Sequence, residues 1–137
     1  MSKYNYLELF EQFKGKTLEK AEWTHNAHLI VGLCAVQFYP ENALAFMRVG
    51  IKELNLSHGT QNTESSGYHE TITVFYIRLI ESILNRHSNL TFDAQIDLLI
   101  NQYGSSDLVL KYYSRELIFS SEARAKYIEP DLRRFDF

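Results

Sequence analysis

Four of the five histidines in the chain are predicted to converge on one end of a helix bundle. Histidine is the side chain best suited to metal binding and to acid–base chemistry near neutral pH. His25 and His28 open one strongly apolar helix, His69 and Glu70 open another, and His58 ends the helix between them. Three imidazoles can hold a divalent metal with one open position, beside which a carboxylate such as Glu70 can act as a general base.

The local spacing of these residues favours a common pocket. His25 and His28 are three residues apart, so they project from one helix face. His69 shares a face with two hydroxyl side chains farther along its own helix. The predicted rim of the pocket consists of His58, Tyr68, Thr73 and Tyr76.

Hydrophobic residues recur with helical spacing along almost the whole chain, and no convincing stretch alternates with period two. We therefore predict an all-α fold, a single-domain helical bundle over residues 1–137 with about five main helices plus short C-terminal helices. The predicted main helices cover residues 4–13, 24–39, 40–57, 67–86 and 92–102, and the short ones cover 107–113 and 122–127.

Particular residues are predicted to begin or end these helices. Thr24 and Thr91 are good N-caps, and Pro40 is expected in the first turn of the third helix, where its missing N–H has no consequence. Gly59 fits the position after the third helix, and Gly67 is expected to cap the fourth.

Topology predicts that the histidines meet. Short connections make the second and third helices antiparallel, and likewise the third and fourth, so the second and fourth run parallel. Helices of about 16 residues, roughly 24 Å long, bring their ends level at one end of the bundle. The polar loop 61–66 leads into His69 and is expected to be a mobile lid over the cluster.

Composition limits the classes of function. The net charge of −3 disfavours nucleic acid as a partner, and the longest apolar run, Leu29 to Val36, is too short to span a membrane. Cys34 is the only cysteine and is expected to be an inert buried thiol, which favours the cytoplasm. The oligomeric state stays open.

Three hypotheses follow for function. The first is a divalent metal, zinc or iron, held by His25, His28 and His69 with Glu70 or His58, and a metal-dependent reaction on a small molecule. The second is a metal-free pocket for a small anionic ligand, because two helix N-termini point their positive ends at the site. The same field keeps imidazoles neutral, as metal binding requires.

The third hypothesis is a structural or interaction module without catalytic activity. In that case His25 is a surface residue of a first turn, and His28 is a buried histidine with satisfied hydrogen bonds. Glu70 is then a capping carboxylate, and His58 interacts with the C-terminal end of its helix. Each of these simple interpretations suffices for one residue, and only their joint placement favours a shared site.

The segments Trp23–Leu29, Gly67–Thr73, Phe119–Arg124 and Glu129–Leu132 resemble a family of small bacterial all-helical proteins with W-T-H-x-x-H-L and G-Y-H-E-T motifs. The resemblance covers nearly the whole chain. It implies a small helical domain and gives weight to His25, His28, His69 and Glu70. It implies no particular activity.

Overall fold

The computed structural model describes residues 4–137, so the first three residues of the predicted domain lie outside it. Within the described residues the chain forms seven α-helices, two short 3₁₀ helices and no strand. The α-helices are α1 Tyr6–Gly15, α2 His25–Phe38, α3 Ala43–Ser57, α4 Glu70–Arg86, α5 Phe92–Tyr103, α6 Arg115–Ile118 and α7 Ser121–Ala125, and the 3₁₀ helices are Lys20–Glu22 and Leu108–Lys111. This confirms the predicted all-α bundle of five main helices followed by short ones.

Two threonine caps are confirmed, and the role expected of Pro40 is wrong. The hydroxyls of Thr24 and Thr91 each accept a hydrogen bond from the backbone N–H three residues later, at 3.2 Å. Pro40 lies in a turn closed by a hydrogen bond from the N–H of Asn42 to the carbonyl of Tyr39. Proline is favoured at the second position of such turns, so Pro40 shapes the connection, and α3 begins after it.

The start of α4 also differs from the prediction, because His69 and not Gly67 is its N-cap. The Nδ1 atom of His69 accepts a hydrogen bond from the N–H of Ile72 at 3.2 Å. Gly67 has a positive φ of 79°, and a Cβ atom there would lie 2.6 Å from the carbonyl oxygen of Gln61. The glycine is therefore needed for the turn that precedes the cap.

The central helix of the bundle is α2. Every residue from Leu29 to Val36 is buried, and α2 packs against α1, α3, α4 and α5. The ring of His25 meets that of Tyr76, while Gly32 lies against Ile80. Since later residues of α2 meet later residues of α4, the two helices run in the same direction, as topology predicted.

The C-terminal tail forms no helix or strand over residues 127–137, yet it is anchored to the core. Phe135 and Phe137 pack against Phe75 and Tyr112, with ring centroids 5.4–5.7 Å apart. The N–H of Leu132 donates to the carbonyl of Tyr112 at 3.0 Å. The tail thereby completes an aromatic cluster on α4.

No helix formed by residues 4–137 has the length and apolar character needed to cross a membrane. Cys34 is fully buried in α2, and burial raises the pKa of its thiol to about 12. A thiol with so high a pKa stays protonated and unreactive at neutral pH.

Candidate functional site

Six of the eight residues expected to share one pocket border two different cavities beside the first turn of α4, and His58 and His69 line neither. The first, here called the apolar cavity, has a volume of about 340 Å³. It is lined by His25, His28, Leu29, Gly32, Met47, Ile51, Ile72, Thr73, Tyr76, Ile77, Ile80, Ser106 and Val109. The second, here called the cationic cleft, has a volume of about 530 Å³. It is lined by Arg48, Lys52, Asn62, Thr63, Glu64, Tyr68, Glu70, Arg124, Ala125, Lys126 and Tyr127.

The apolar cavity lies between α2, α3, α4 and residues 106–109, and no residue that lines it is an acid, a lysine or an arginine. Its polar atoms belong to two imidazoles and three hydroxyl side chains. The structure therefore brings His25, His28, Thr73 and Tyr76 together, as the sequence predicted. It places Glu70 and Tyr68 in the cationic cleft instead.

His28 is held as a neutral imidazole. Its Nδ1 atom lies 2.7 Å from the carbonyl oxygen of Thr24, which can only accept, so Nδ1 carries the proton and Nε2 keeps its lone pair. The ring stacks on Trp23 with a centroid distance of 3.7 Å. Burial lowers the pKa of His28 to about 4, partly offset by the Thr24 hydrogen bond. At neutral pH, His28 is thus an uncharged hydrogen-bond acceptor.

Two polar atoms on residues that line this cavity have no partner within the described residues. The Nε2 atom of His25 and the hydroxyl of Tyr76 are both buried, and neither forms a hydrogen bond with residues 4–137. Burial lowers the pKa of His25, and burial together with the charge of Asp107 raises that of Tyr76. A buried polar group left without a partner costs about 1–3 kcal/mol. The folded chain therefore carries two unsatisfied groups in one cavity.

His69 is a structural residue of this region. Only 8% of its surface is exposed, and its Nε2 atom donates to the carbonyl of Ile118 at 2.6 Å. Because Nδ1 accepts from Ile72, both ring nitrogens are already used. Thr73 is oriented by the same residue, since its hydroxyl donates to the His69 carbonyl at 2.8 Å.

His58 lines neither cavity. Its Nε2 atom lies 2.7 Å from the carbonyl oxygen of Leu18, in the segment that follows α1. The ends of α2, α3 and α4 do not come level as expected, because the loop after α3 folds back along that helix. The amide of Asn62 donates to the carbonyl of Lys52 at 3.0 Å. The first turn of α4 consequently lies beside the middle of α3, and the loop borders the cationic cleft rather than covering the histidines.

The predicted divalent metal, zinc or iron, does not fit this arrangement. Among residues 4–137 no group of three or more His, Cys, Asp or Glu side chains is placed to hold a metal ion. His69 could bind one only by giving up a buried hydrogen bond. The ligand set of His25, His28 and His69 is thus not brought together, and we derive no chemistry from a metal.

Glu70 is engaged by Arg48 and Tyr68. The Nε and Nη2 atoms of Arg48 donate to its two oxygens at 2.9 and 2.6 Å, and the Tyr68 hydroxyl donates at 2.7 Å. The Arg48 hydrogen bonds hold the pKa of Glu70 below its ordinary value. A general base works best with a pKa near the working pH, so this environment does not favour the predicted catalytic role of Glu70.

Sequence reasoning did not single out Arg48 or the α3 residues Met47 and Ile51. Arg48 is the only charged residue between Ala43 and Ile51, and a lone cation in an apolar stretch indicates that it pairs with an acid elsewhere. Met47 and Ile51 carry no such signal, because apolar residues of a bundle helix are most simply core residues.

Comparisons of the chain with family models, with curated proteins and with solved structures find no match. The resemblance to a bacterial helical family therefore stays a prediction. The function has to be argued from the two cavities themselves.

Proposed function

We propose that the protein binds a small, uncharged and mostly apolar molecule in the apolar cavity, with a polar head group at His25 and Tyr76. The observation that carries this proposal is the pair of buried, unpartnered polar atoms on residues that line a mostly apolar cavity. A ligand that supplies both hydrogen bonds removes a cost of about 1–3 kcal/mol for each atom.

The lining of the cavity favours an uncharged ligand over the small anion considered from the sequence. An ionised group is expensive to bury without a paired charge, and no lysine or arginine lines this cavity. Both histidines are neutral at pH 7 because burial lowers their pKa values. The volume of about 340 Å³ lies near the lower end of the roughly 300–1,000 Å³ typical of ligand pockets.

The head group that fits best is a hydroxyl. A hydroxyl both donates and accepts, so one such group can bond with a nitrogen lone pair and with a phenolic O–H at once. The lone pair of His28 adds a further acceptor in the same cavity. A hydrocarbon of the same size leaves the His25 nitrogen and the Tyr76 hydroxyl unsatisfied.

Binding is favoured over acid–base catalysis. A histidine with a pKa of about 4 is a weak base at neutral pH, and Glu70 is bound by Arg48 in the other cleft. A metal-dependent enzyme stays a prediction, which metal analysis of the purified protein tests. Zinc or iron at one equivalent per chain would overturn the present proposal. We place the binding activity in the cytoplasm, a proposal supported by the single, buried and unpaired Cys34.

The test compares three probes of matched shape, namely 4-ethylphenol, ethylbenzene and 4-ethylbenzoate. Trp23 is the only tryptophan and stacks on His28, so its fluorescence reports on the cavity. We expect 4-ethylphenol to bind about tenfold more tightly than ethylbenzene, which corresponds to about one hydrogen bond, and the benzoate anion to bind weakest. Equal affinity for the phenol and the hydrocarbon, or preference for the anion, would refute the proposal.

The decisive variant is Tyr76→Phe, which removes one hydroxyl and keeps the ring. It should abolish most of the preference for 4-ethylphenol. The stability of the free protein should not fall, and should rise by up to about 1 kcal/mol, since an unsatisfied group has been removed. Tyr127→Phe, which deletes a hydroxyl in the cationic cleft, is the matched control and should leave the preference intact. A clear loss of stability in Tyr76→Phe would show that the hydroxyl has a structural partner, contrary to the proposal.

A further inference from the structure

We propose that the cationic cleft is a second binding site, separate from the apolar cavity, for a small molecule that carries a doubly charged oxyanion such as a phosphate group. The cleft has an excess of positive charge, although the net charge of the chain is −3. Four cationic and two acidic side chains line it, which leaves a formal excess of two positive charges: Arg48, Lys52, Arg124 and Lys126 against Glu64 and Glu70.

The acid deepest in the cleft is already neutralised. The side chain of Glu70 is only 12% exposed, and Arg48 forms a two-point ion pair with it. A bidentate pair of this kind is a strong interaction, so Arg48 neutralises most of the charge of Glu70, and Lys52 adds only a weaker attraction without a direct ion pair. Glu64 is exposed and lies on the loop.

Two of the cations have no carboxylate partner. Among residues 4–137, neither Lys52 nor Arg124 forms an ion pair, whereas Lys126 reaches Glu122 at 3.3 Å on the exposed surface. Arg124 is half-buried, and a guanidinium in that position without a counter-charge is an unusual arrangement. It is the arrangement expected of a group that binds an anion from solution.

Both unpaired cations are held against Tyr68. The Nη1 atom of Arg124 donates to the carbonyls of Gly67 and Tyr68 at 2.8 and 3.3 Å, which leaves Nε and Nη2 for a ligand. The Nζ atom of Lys52 lies 5.1 Å from the centroid of the Tyr68 ring. A cation held in place loses less conformational entropy when it binds, so Arg124 is preorganised for a small anion, with the exposed Lys52 beside it.

The cleft fits a small oxyanion better than a long polyanion. Its volume of about 530 Å³ suits a metabolite-sized molecule. The rest of the chain carries an excess of negative charge that would repel an extended nucleic acid. A guanidinium fork and an ammonium together match the geometry and the charge of a phosphate dianion.

The experiment titrates the protein with inorganic phosphate at low salt, followed by amide chemical shifts of residues 62–70 and 124–127. Separate titrations use phenyl phosphate, succinate and acetate. We expect saturable binding of phosphate, and weaker binding of the singly charged acetate. A phosphate ester that binds more tightly than free phosphate would identify an organic phosphate as the ligand. Absence of saturable shifts with every dianion, or acetate binding as tight as phosphate, would overturn the proposal.

Variants separate a built site from a general charge effect. Lys52→Gln and Arg124→Gln should each weaken phosphate binding roughly five- to tenfold, about the value of one ordinary hydrogen bond. Lys20→Gln removes the same charge from an exposed position outside the cleft and should change the affinity less than about twofold. If Arg124→Gln does not fold, Lys52→Gln decides the question.

Equal effects of Lys52→Gln and Lys20→Gln would contradict the site. Binding of 4-ethylphenol should be unchanged in Lys52→Gln, because Lys52 does not line the apolar cavity. The two proposals can therefore fail independently.

Discussion

The apolar cavity and the cationic cleft are bordered by residues of the same turn of α4, yet their chemistry is opposite. In the cavity, burial keeps His25 and His28 neutral and leaves polar atoms without partners. In the cleft, Glu70 and Arg48 both stay ionised because their opposite charges form an ion pair. The same short segment thus supplies polar groups to an environment that excludes charge and to one that concentrates it.

The difference arises from the helix faces. The ring of Tyr76 meets that of His25 on α2, whereas Glu70, in the first turn of α4, pairs with Arg48 of α3 from another side of the helix. Residues close in sequence can therefore belong to separate sites, while His69 between them is committed to the fold. Three predictions test this division.

The largest expected effect concerns His69, which we assign to structure and to neither site. His69→Ala should lower the free energy of unfolding by about 2–4 kcal/mol, because it removes the cap of α4 and leaves the buried carbonyl of Ile118 without a donor. Urea denaturation measures the loss. His87→Ala is the control, since the His87 ring forms no hydrogen bond with residues 4–137 and its removal should have a small effect. A change below about 0.5 kcal/mol for His69→Ala would show that the residue is free to serve a site.

A second prediction uses pH to perturb the cavity while leaving the cleft intact. The folded state lowers the pKa of His28 to about 4, so between about pH 6.5 and 4 the unfolded chain binds a proton that the folded chain does not. The contribution of His28 to stability is therefore fully present above about pH 6.5 and is lost as the pH decreases through this window, by on the order of 3 kcal/mol. The pKa of Glu70 is lowered, so its ion pair with Arg48 should persist through most of the same pH range.

Denaturation at several pH values checks this expectation. The control is His28→Phe, which can keep the stacking on Trp23 but has no proton to gain. Its stability should depend less on pH within the window. An unchanged slope would mean that His28 is not the buried neutral group that the geometry indicates.

The smallest expected effect tests whether the apolar cavity and the cationic cleft are independent of each other. Glu70→Gln should lower stability by about 1 kcal/mol, a modest value because Arg48 is 37% exposed and solvent screens the pair. It should also strengthen phosphate binding severalfold, since the cleft gains one net positive charge. The affinity for 4-ethylphenol should not change. Loss of 4-ethylphenol binding would instead show that Glu70 acts on the apolar cavity and that the two regions are coupled.

Local sequence determined much of this architecture. Thr24 and Thr91 cap their helices, and Gly59 follows α3 with a positive φ of 80°, because each of these features depends on residues within one helical turn. The uniformly apolar stretch from Leu29 to Val36 predicted a buried helix for a similarly direct reason. The spacing of His25, His28, Thr73 and Tyr76 predicted that they border one cavity once parallel packing of two helices was inferred.

Tertiary structure alone decided the rest. His69 caps α4 while bonding to Ile118, and Glu70 meets Arg48, in each case across a separation in sequence that no local pattern reports. The side-chain amide of Asn62 holds the loop along α3, and His58 bonds instead to the carbonyl of Leu18, again between residues distant in sequence. Helical periodicity fixes which residues share a face, but the rotation of each helix against its neighbours decides which face meets which cavity. That rotation is set by packing over the whole bundle, and it is what separated one expected site into two.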